Sequence, residues 1–260
     1  MIGALSTAAT GLEAQSANVE AISNDLANVN TDGYKRGRNE FQELMYKTTQ
    51  EPGAQIGANT QSPVGIQTGL GVKVGAQHKV FEQGPAKMTN QPFDLMIEGN
   101  GFLPVSLPNG EVGFTRTGSF KPDAQGRLTL SSGAQLVPQI TVPPSALSVV
   151  ISPTGEVKAL LPQNQESVLG QIQLVNFQNP EGLNVIGGGI YKPSSVSGQP
   201  LQAIPGEAGL GTVQQGALEG SNVNVATSMV DMIRAQRAYE MSAKAMGVVD
   251  QMWNATIQVK

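Results

Sequence analysis

"EGSNVNVATSMVDMIRAQRAYE", residues 219–240, decides how this chain is built. Gly220, Ser221 and Asn222 are turn formers, and a periodic apolar run follows them at once. Val225, Met232, Tyr239, Met246 and Trp253 recur every seven residues. Met229, Gln236, Ala243, Asp250 and Ile257 form a companion row, with Asp250 its fault. Spacing of this kind predicts a long helix with an apolar stripe. Asn222 and Asn224 stand at its start, with Ser221 one turn earlier. A short amide or hydroxyl there accepts a hydrogen bond from a backbone N–H that the first helical turn leaves free.

The tripeptide Asn222-Val223-Asn224 has a copy near the other end, in "SNDLANVNTDGYKR", residues 23–36. The first copy closes a helical pattern where the second opens one. Leu5, Leu12, Val19 and Leu26 recur every seven residues, and Ala8, Gln15, Ile22 and Val29 follow each by three. Asn28 and Asn30 read as capping amides. Gly33 reads as the stop, since glycine takes the left-handed conformation of a helix C-cap without strain. Lys35 and Arg36 are then expected beside the free carbonyls of the last turn, where positive charge is favoured.

The two ends suit each other. Residues 1–34 carry Glu13, Glu20, Asp25 and Asp32 and no base. Residues 222–260 carry Arg234, Arg237, Lys244 and Lys260 against three acids. Pairing of the two helices as a coiled coil is the expectation. The flanks of both stripes are Ser, Thr, Ala, Asn and Gln rather than the Glu and Lys of a solvated face. Small uncharged flanks permit close packing against further copies. Leu5, Leu12, Val19, Ile22 and Leu26, with Val225, Met229, Met232, Tyr239, Met246 and Trp253, are therefore the candidate subunit-packing residues.

Residues 92–186 read as a β domain. "FDLMIEGNGFLPVSLPNGEVGFTRTGSF" holds two apolar runs and a hairpin signal at Asn109-Gly110. "DAQGRLTL", "SPTGEVKALL" and "NPEGLNVI" each set a Gly beside a short strand. "GQIQLVNFQ" reads as one longer strand, Ile172 and Leu174 facing one way and Val175 and Phe177 the other. Residues 34–91 and 187–221 are Gly-rich and read as an extended connector. Within it Ile66, Leu70, Val72, Val74 and Val80 recur often enough for pairing strands. Pro52, Gly53, Ile66, Leu70 and Val72 are its candidate contact residues. The fold class is α+β: a discontinuous helical domain, 1–33 with 222–260, into which connector and β domain are inserted.

Charged residues are 14% of the chain and the net charge is −4, which argues against a nucleic-acid partner. Cysteine is absent, so neither a disulfide framework nor thiol chemistry is available. His78 is the lone histidine, which leaves no cluster for a transition metal. No phosphate-binding loop or nucleophile elbow occurs. Asp94, Glu98, Glu111 and Asp123 are too generically spaced for a glycosidase pair. No catalytic residue, cofactor or metal is assigned. No apolar run reaches transmembrane length, and the N-terminus lacks the basic flank of a cleaved secretory signal.

Three motifs in order carry a family resemblance: "LANVNTDGYKR", then "FDLMIEGNGF" with "FTRTGSF", then "SNVNVATSMVDMIRAQRAYEMSAKA". Together they resemble the bacterial flagellar axial proteins, the rod and hook subunits. The length and "FQELMYKTTQEPGAQ" are most similar to the distal rod type. Met and Tyr depart from the aliphatic residues expected on the C-terminal stripe. The resemblance implies a structural, non-enzymatic subunit that polymerises into a straight rigid drive shaft and passes torque from motor to hook. It implies terminal helices paired in an inner tube, export by the flagellar type III apparatus, and a place in the basal body across the periplasm. The implied partners are further copies, proximal rod proteins, hook protein, and the periplasmic and outer-membrane rings. Neither nucleic-acid binding nor membrane insertion is implied. The alternative from another class is a cell-surface carbohydrate-binding or adhesive β protein with helical ends.

Overall fold

The computed structural model describes residues 2–53, 55–57, 60–61, 63–162 and 165–258. The chain divides into two units. One comprises Met1–Leu26, Gly37–His78 and Asn224–Lys260, the other Ala27–Arg36 and Lys79–Val223. The connector is therefore not a separate layer. Its first part belongs with the helices, and residues 79–91 and 187–221 are woven into the β unit.

In the first unit, helix α1 spans Ile2–Ala27 and helix α2 spans Val225–Gln258. At about 1.5 Å per residue they are roughly 39 and 51 Å long. Helix α1 stops six residues before Gly33. Asn28, Asn30, Thr31 and Asp32 prefer local side-chain and turn hydrogen bonds to helix continuation. The Thr31 N–H accordingly bonds Asn28 O at 3.1 Å and its hydroxyl reaches Asn28 Oδ1. Asn224 caps α2, its Oδ1 accepting from the N–H groups of Ala226 (3.0 Å) and Thr227 (3.3 Å).

Small residues lie at the most covered helical positions. Ala14, Ala21 and Asp25 are buried on α1, whereas Leu5, Leu12, Val19, Ile22 and Leu26 are half-buried. On α2 Ala235 is buried, and Ser228, Met232, Ala238, Ser242, Met246 and Val249 are half-buried. The companion row expected on α2 is thus displaced. Met229, Gln236, Ala243 and Asp250 are exposed, and the covered row runs through Ser228, Ala235, Ser242 and Val249. Gly11 of α1 lies against Ser242 of α2: a Cβ at Gly11 would lie 3.6 Å from Ser242 Oγ. That is an ordinary van der Waals distance, so nothing in this contact demands the glycine, which costs about 1 kcal/mol relative to alanine inside a helix.

Strands β1 (Gly37–Glu43), β2 (Tyr46–Gln50), β3 (Gln55–Gly57), β4 (Thr60–Gln61), β5 (Ile66–Gly69) and β6 (Val72–Lys79) complete this unit. They pair as β1 with β6, β2 with β5, and β3 with β4. The β2–β5 register is antiparallel, with Tyr46 opposite Gly69. Three polar contacts strap this ribbon to α1. Asp25 Oδ1 accepts from Gly37 N–H (2.9 Å), Asn39 Nδ2 donates to Ala17 O (3.0 Å), and Val72 N–H donates to Thr10 Oγ1 (3.4 Å).

The β unit contains β7 (Ala86–Met88), β8 (Leu95–Glu98), β9 (Leu103–Ser106), β10 (Val112–Thr115), β11 (Lys121–Pro122), β12 (Leu128–Thr129), β13 (Gln135–Leu136), β14 (Ser148–Ile151), β15 (Glu156–Leu161) and β16 (Gln165–Gln171). It continues with β17 (Leu174–Asn176), β18 (Asn184–Gly187), β19 (Ile190–Lys192), β20 (Leu201–Ala203), β21 (Thr212–Gln215) and β22 (Ala217–Glu219). An antiparallel seven-stranded sheet has the order β11-β12-β13-β9-β10-β19-β18, beside a β14-β15-β16 meander. Asn109-Gly110 turns the β9–β10 hairpin, Gly110 at φ +82°. The returning strands pair with earlier ones: β20 with β17, β21 with β8 and β22 with β7.

Two cores hold this unit. The aliphatic one includes Leu95, Ile97, Leu103, Val105, Leu136, Val157, Ile172 and Leu174. The aromatic one gathers Phe102, Phe114, Phe177 and Tyr191 with Phe81, its rings edge-to-face at centroid separations of 4.9–5.9 Å. Edge-to-face pairs add about 0.5–1.5 kcal/mol each beyond burial. The segment 170–178 is not one strand, since β16 and β17 join different sheets. Its alternation is nevertheless as expected: Ile172 and Leu174 enter the aliphatic core, Val175 and Phe177 the aromatic one.

Candidate functional site: an ionic clasp at the chain crossings

Three of the places where the chain passes between the units lie together within the β unit. They are the segments ending at Arg36, beginning at Lys79 and ending at Val223. Asn222 binds them. Its N–H donates to Tyr34 O (3.4 Å), and its Oδ1 accepts from Arg36 N–H (2.7 Å). Its Nδ2 donates to Val80 O (2.9 Å) and Glu82 O (3.2 Å). Val80 N–H closes the ring onto Arg36 O (3.0 Å). One amide thus satisfies backbone groups from two other segments, its carbonyl oxygen accepting while its NH2 donates twice. Asn222 is a cross-brace between segments and not a helix cap.

Beneath it lies a buried ion cluster. Lys35 Nζ stands 2.5 Å from Glu219 Oε1 and donates to Glu82 O at 2.6 Å. Arg116 Nη1 is 3.3 Å from Glu219 Oε2, and its Nη2 donates to Gly99 O at 2.9 Å. Gly84 N–H also donates to Glu219 Oε1 at 3.0 Å. The side chains of Lys35 and Glu219 are wholly buried and that of Arg116 is 3% exposed. Burial pushes Lys35 below the ordinary lysine range. Glu219 opposes that shift, and Arg116 reinforces it. Arg116 is lowered by burial too, and lies 5.5 Å from the Phe102 ring centroid. Neighbouring Tyr191 is pushed up to about 12, chiefly by burial.

Glycines allow the segments to close around the cluster. Gly33, at φ +72°, donates its N–H to Glu219 O at 2.7 Å, and a Cβ there would lie 2.9 Å from Thr117 N. A Cβ at Gly84 would meet Gly220 O at 2.0 Å. Lys35 therefore does not serve the end of α1. It is a core cation of the β unit, and Gly33 is the turn that delivers it. Lys35, Arg116 and Glu219 were not singled out from the sequence as a group. The available signal was that Lys35 is the first base after 34 residues without one, with Arg116 inside "FTRTGSF".

The predicted packing residues distribute unevenly. Val225, Met229, Tyr239 and Trp253 are exposed, and Met232 and Met246 half-buried. Of the capping candidates Asn224 caps, Asn28 orders a turn and Asn30 is exposed. In the connector Pro52, Gly53, Ile66 and Leu70 are exposed, whereas Val72 is half-buried beside Thr10. Three of the four acids considered for catalysis are separately engaged: Asp94 with Thr89, Glu111 with Lys192, and Asp123 with Arg127. Among the described residues no three His, Cys, Asp or Glu side chains could hold a metal, and no helix is long and apolar enough to cross a membrane.

Three family models match the chain in order. Residues 5–35 match the flagella basal body rod protein model, 96–159 the D1 domain of flagellar hook protein FlgE/F/G, and 214–259 the C-terminal region of flagellar basal body rod FlgEFG protein. The chain is 43% identical to flagellar basal-body rod protein FlgG of Caulobacter vibrioides, over 99% of both chains. It is 44% identical to FlgG of Borreliella burgdorferi, over 97% of this chain and 96% of that one. It is 30% identical to rod protein FlgF of Escherichia coli, over 93% and 92%. The chain belongs to the flagellar basal-body rod protein family, within its FlgG branch.

Proposed function

We propose that this chain is the structural subunit of the flagellar distal rod, polymerising into a straight, rigid shaft that carries torque from motor to hook. The observation that carries this reading is the end-to-end match to FlgG proteins at 43–44% identity. Mechanical work needs stiffness rather than reactive groups. Load carried along the chain between the helices and the β unit runs through the chain crossings, which are its covalent links. Three of them are tied by Asn222 over a fully buried ion cluster. The paired terminal helices form the inner layer as a coiled coil, and Pro52, Gly53, Ile66 and Leu70 meet neighbouring subunits. Proximal rod proteins, hook protein and the surrounding rings are the partners, reached after type III export into the basal body.

A helical shaft requires heterologous contacts that do not close into a ring. Electron microscopy of the purified chain at rising concentration tests the reading. Unbranched straight filaments of one diameter are expected. A chain that stays monomeric at every concentration overturns it.

A further inference from the structure

We propose that successive copies are held in register by an ionic zipper: Glu13 and Glu20 on α1 of one copy against Arg237 and Lys244 on α2 of the next. This rests on the self-assembly reading above and names the surface that performs it. On α1 the uncovered stripe runs Ser6, Ala9, Glu13, Ser16, Glu20, Ser23 and Ala27, with Ser16 half-buried and the others exposed. These positions step by three and four and so share one face. The face is small-residued throughout except for two carboxylates one heptad apart. One of the uncovered stripes of α2 is its complement, with Glu240 exposed at its flank. Val230, Ile233, Met241 and Val248 are exposed there, and Arg237 and Lys244 stand among them, also one heptad apart.

Large apolar side chains on one face match small residues on the other, and two cations match two anions at the same spacing of about 10.5 Å. Equal spacing lets both ion pairs form at once whichever way the helices run. Neither set is used within the chain: among the described residues no ion pair includes Glu13, Glu20, Arg237 or Lys244. A second copy is the occupant because the matching face exists on this same molecule. The two stripes are different surfaces, so the contact is heterologous and propagates.

Charge reversal with a mixing experiment tests this. Glu13→Lys/Glu20→Lys gives a chain basic on both stripes, and Arg237→Glu/Lys244→Glu one acidic on both. Each alone is expected to raise the concentration needed for filaments at least tenfold over the unaltered chain, while thermal melting of the β unit stays unchanged. An equimolar mixture is expected to polymerise as an alternating copolymer near the original concentration, because each stripe again meets its opposite. Normal assembly by either variant overturns the zipper. So does failure of the mixture with the fourfold variant polymerising normally, which would place the pairs within one chain. If the unaltered chain forms no filament, the assembly reading falls and the zipper with it, an outcome distinct from variants that behave like an assembling parent.

Discussion

Glu219→Ala should unfold the β unit far more readily than its one lost side chain suggests. The substitution leaves Lys35 and Arg116 buried with their shared anion gone, and frees Gly84 N–H as well. Removing one partner of a buried pair costs about 3–5 kcal/mol, because the remaining charge stays desolvated. Here two cations remain, so the upper half of that range is expected, about 4–5 kcal/mol. For a unit of this size each kcal/mol moves the midpoint by about 2–4 °C, so Tm should fall by about 8–20 °C. The assay is thermal unfolding of the full chain followed by near-ultraviolet circular dichroism, which reports the Phe102, Phe114, Phe177 and Tyr191 cluster above Arg116. Lys87→Ala is the control. It breaks the partly exposed Lys87–Asp32 pair at 3.5 Å and should cost less than about 1 kcal/mol. The triple replacement Lys35→Met/Arg116→Met/Glu219→Leu should recover most of the loss, since apolar residues of similar volume often match or exceed a buried ion cluster. A Tm drop for Glu219→Ala no larger than for Lys87→Ala would refute the reasoning.

Stability should also depend on alkaline pH through Lys35. Its folded pKa lies below the unfolded value of 10.5. Between the two the unfolded chain holds a proton that the folded one has released, so stability rises with pH across that window. Denaturant titrations carried upward through pH 10.5 should show the original chain gaining on Lys35→Met as pH approaches that value, and curves parallel throughout would contradict the shift. Tyr191 acts with the opposite sign. Its contribution is full below about pH 10 and is lost as pH climbs through its folded pKa of about 12, so Tyr191→Phe should flatten that decline in equilibrium unfolding. Asn222→Asp turns the amide donor toward Val80 O and Glu82 O into an anion. A loss of about 2–3 kcal/mol in urea unfolding is expected. Met232→Lys places a charge on the covered face of α2 beside Ala235. Filament formation should vanish in microscopy while β-unit melting stays constant.

The helices at both ends, the Asn109-Gly110 hairpin and the cap at Asn224 were legible in the sequence because each rests on residues near one another in the chain. Periodicity identifies a helix, and a short amide before it identifies its start. The covered row of α2 was not legible. Val225, Met229 and Tyr239 are as apolar as Met232, yet the covered row runs through Ser228, Ala235 and Ser242, the last of which lies against Gly11 of α1. The end of α1 at Ala27 was likewise decided by competition between helix and turn bonds at Asn28 and Thr31. The clasp depended wholly on tertiary structure. Glu219 meets Lys35 across 184 residues and Arg116 across 103, in segments whose local patterns say nothing of each other. Sequence alone determined that both ends are helical and alike. Packing decided that the second Asn-Val-Asn braces the crossings through Asn222, because a buried backbone group must find a partner wherever the fold supplies one.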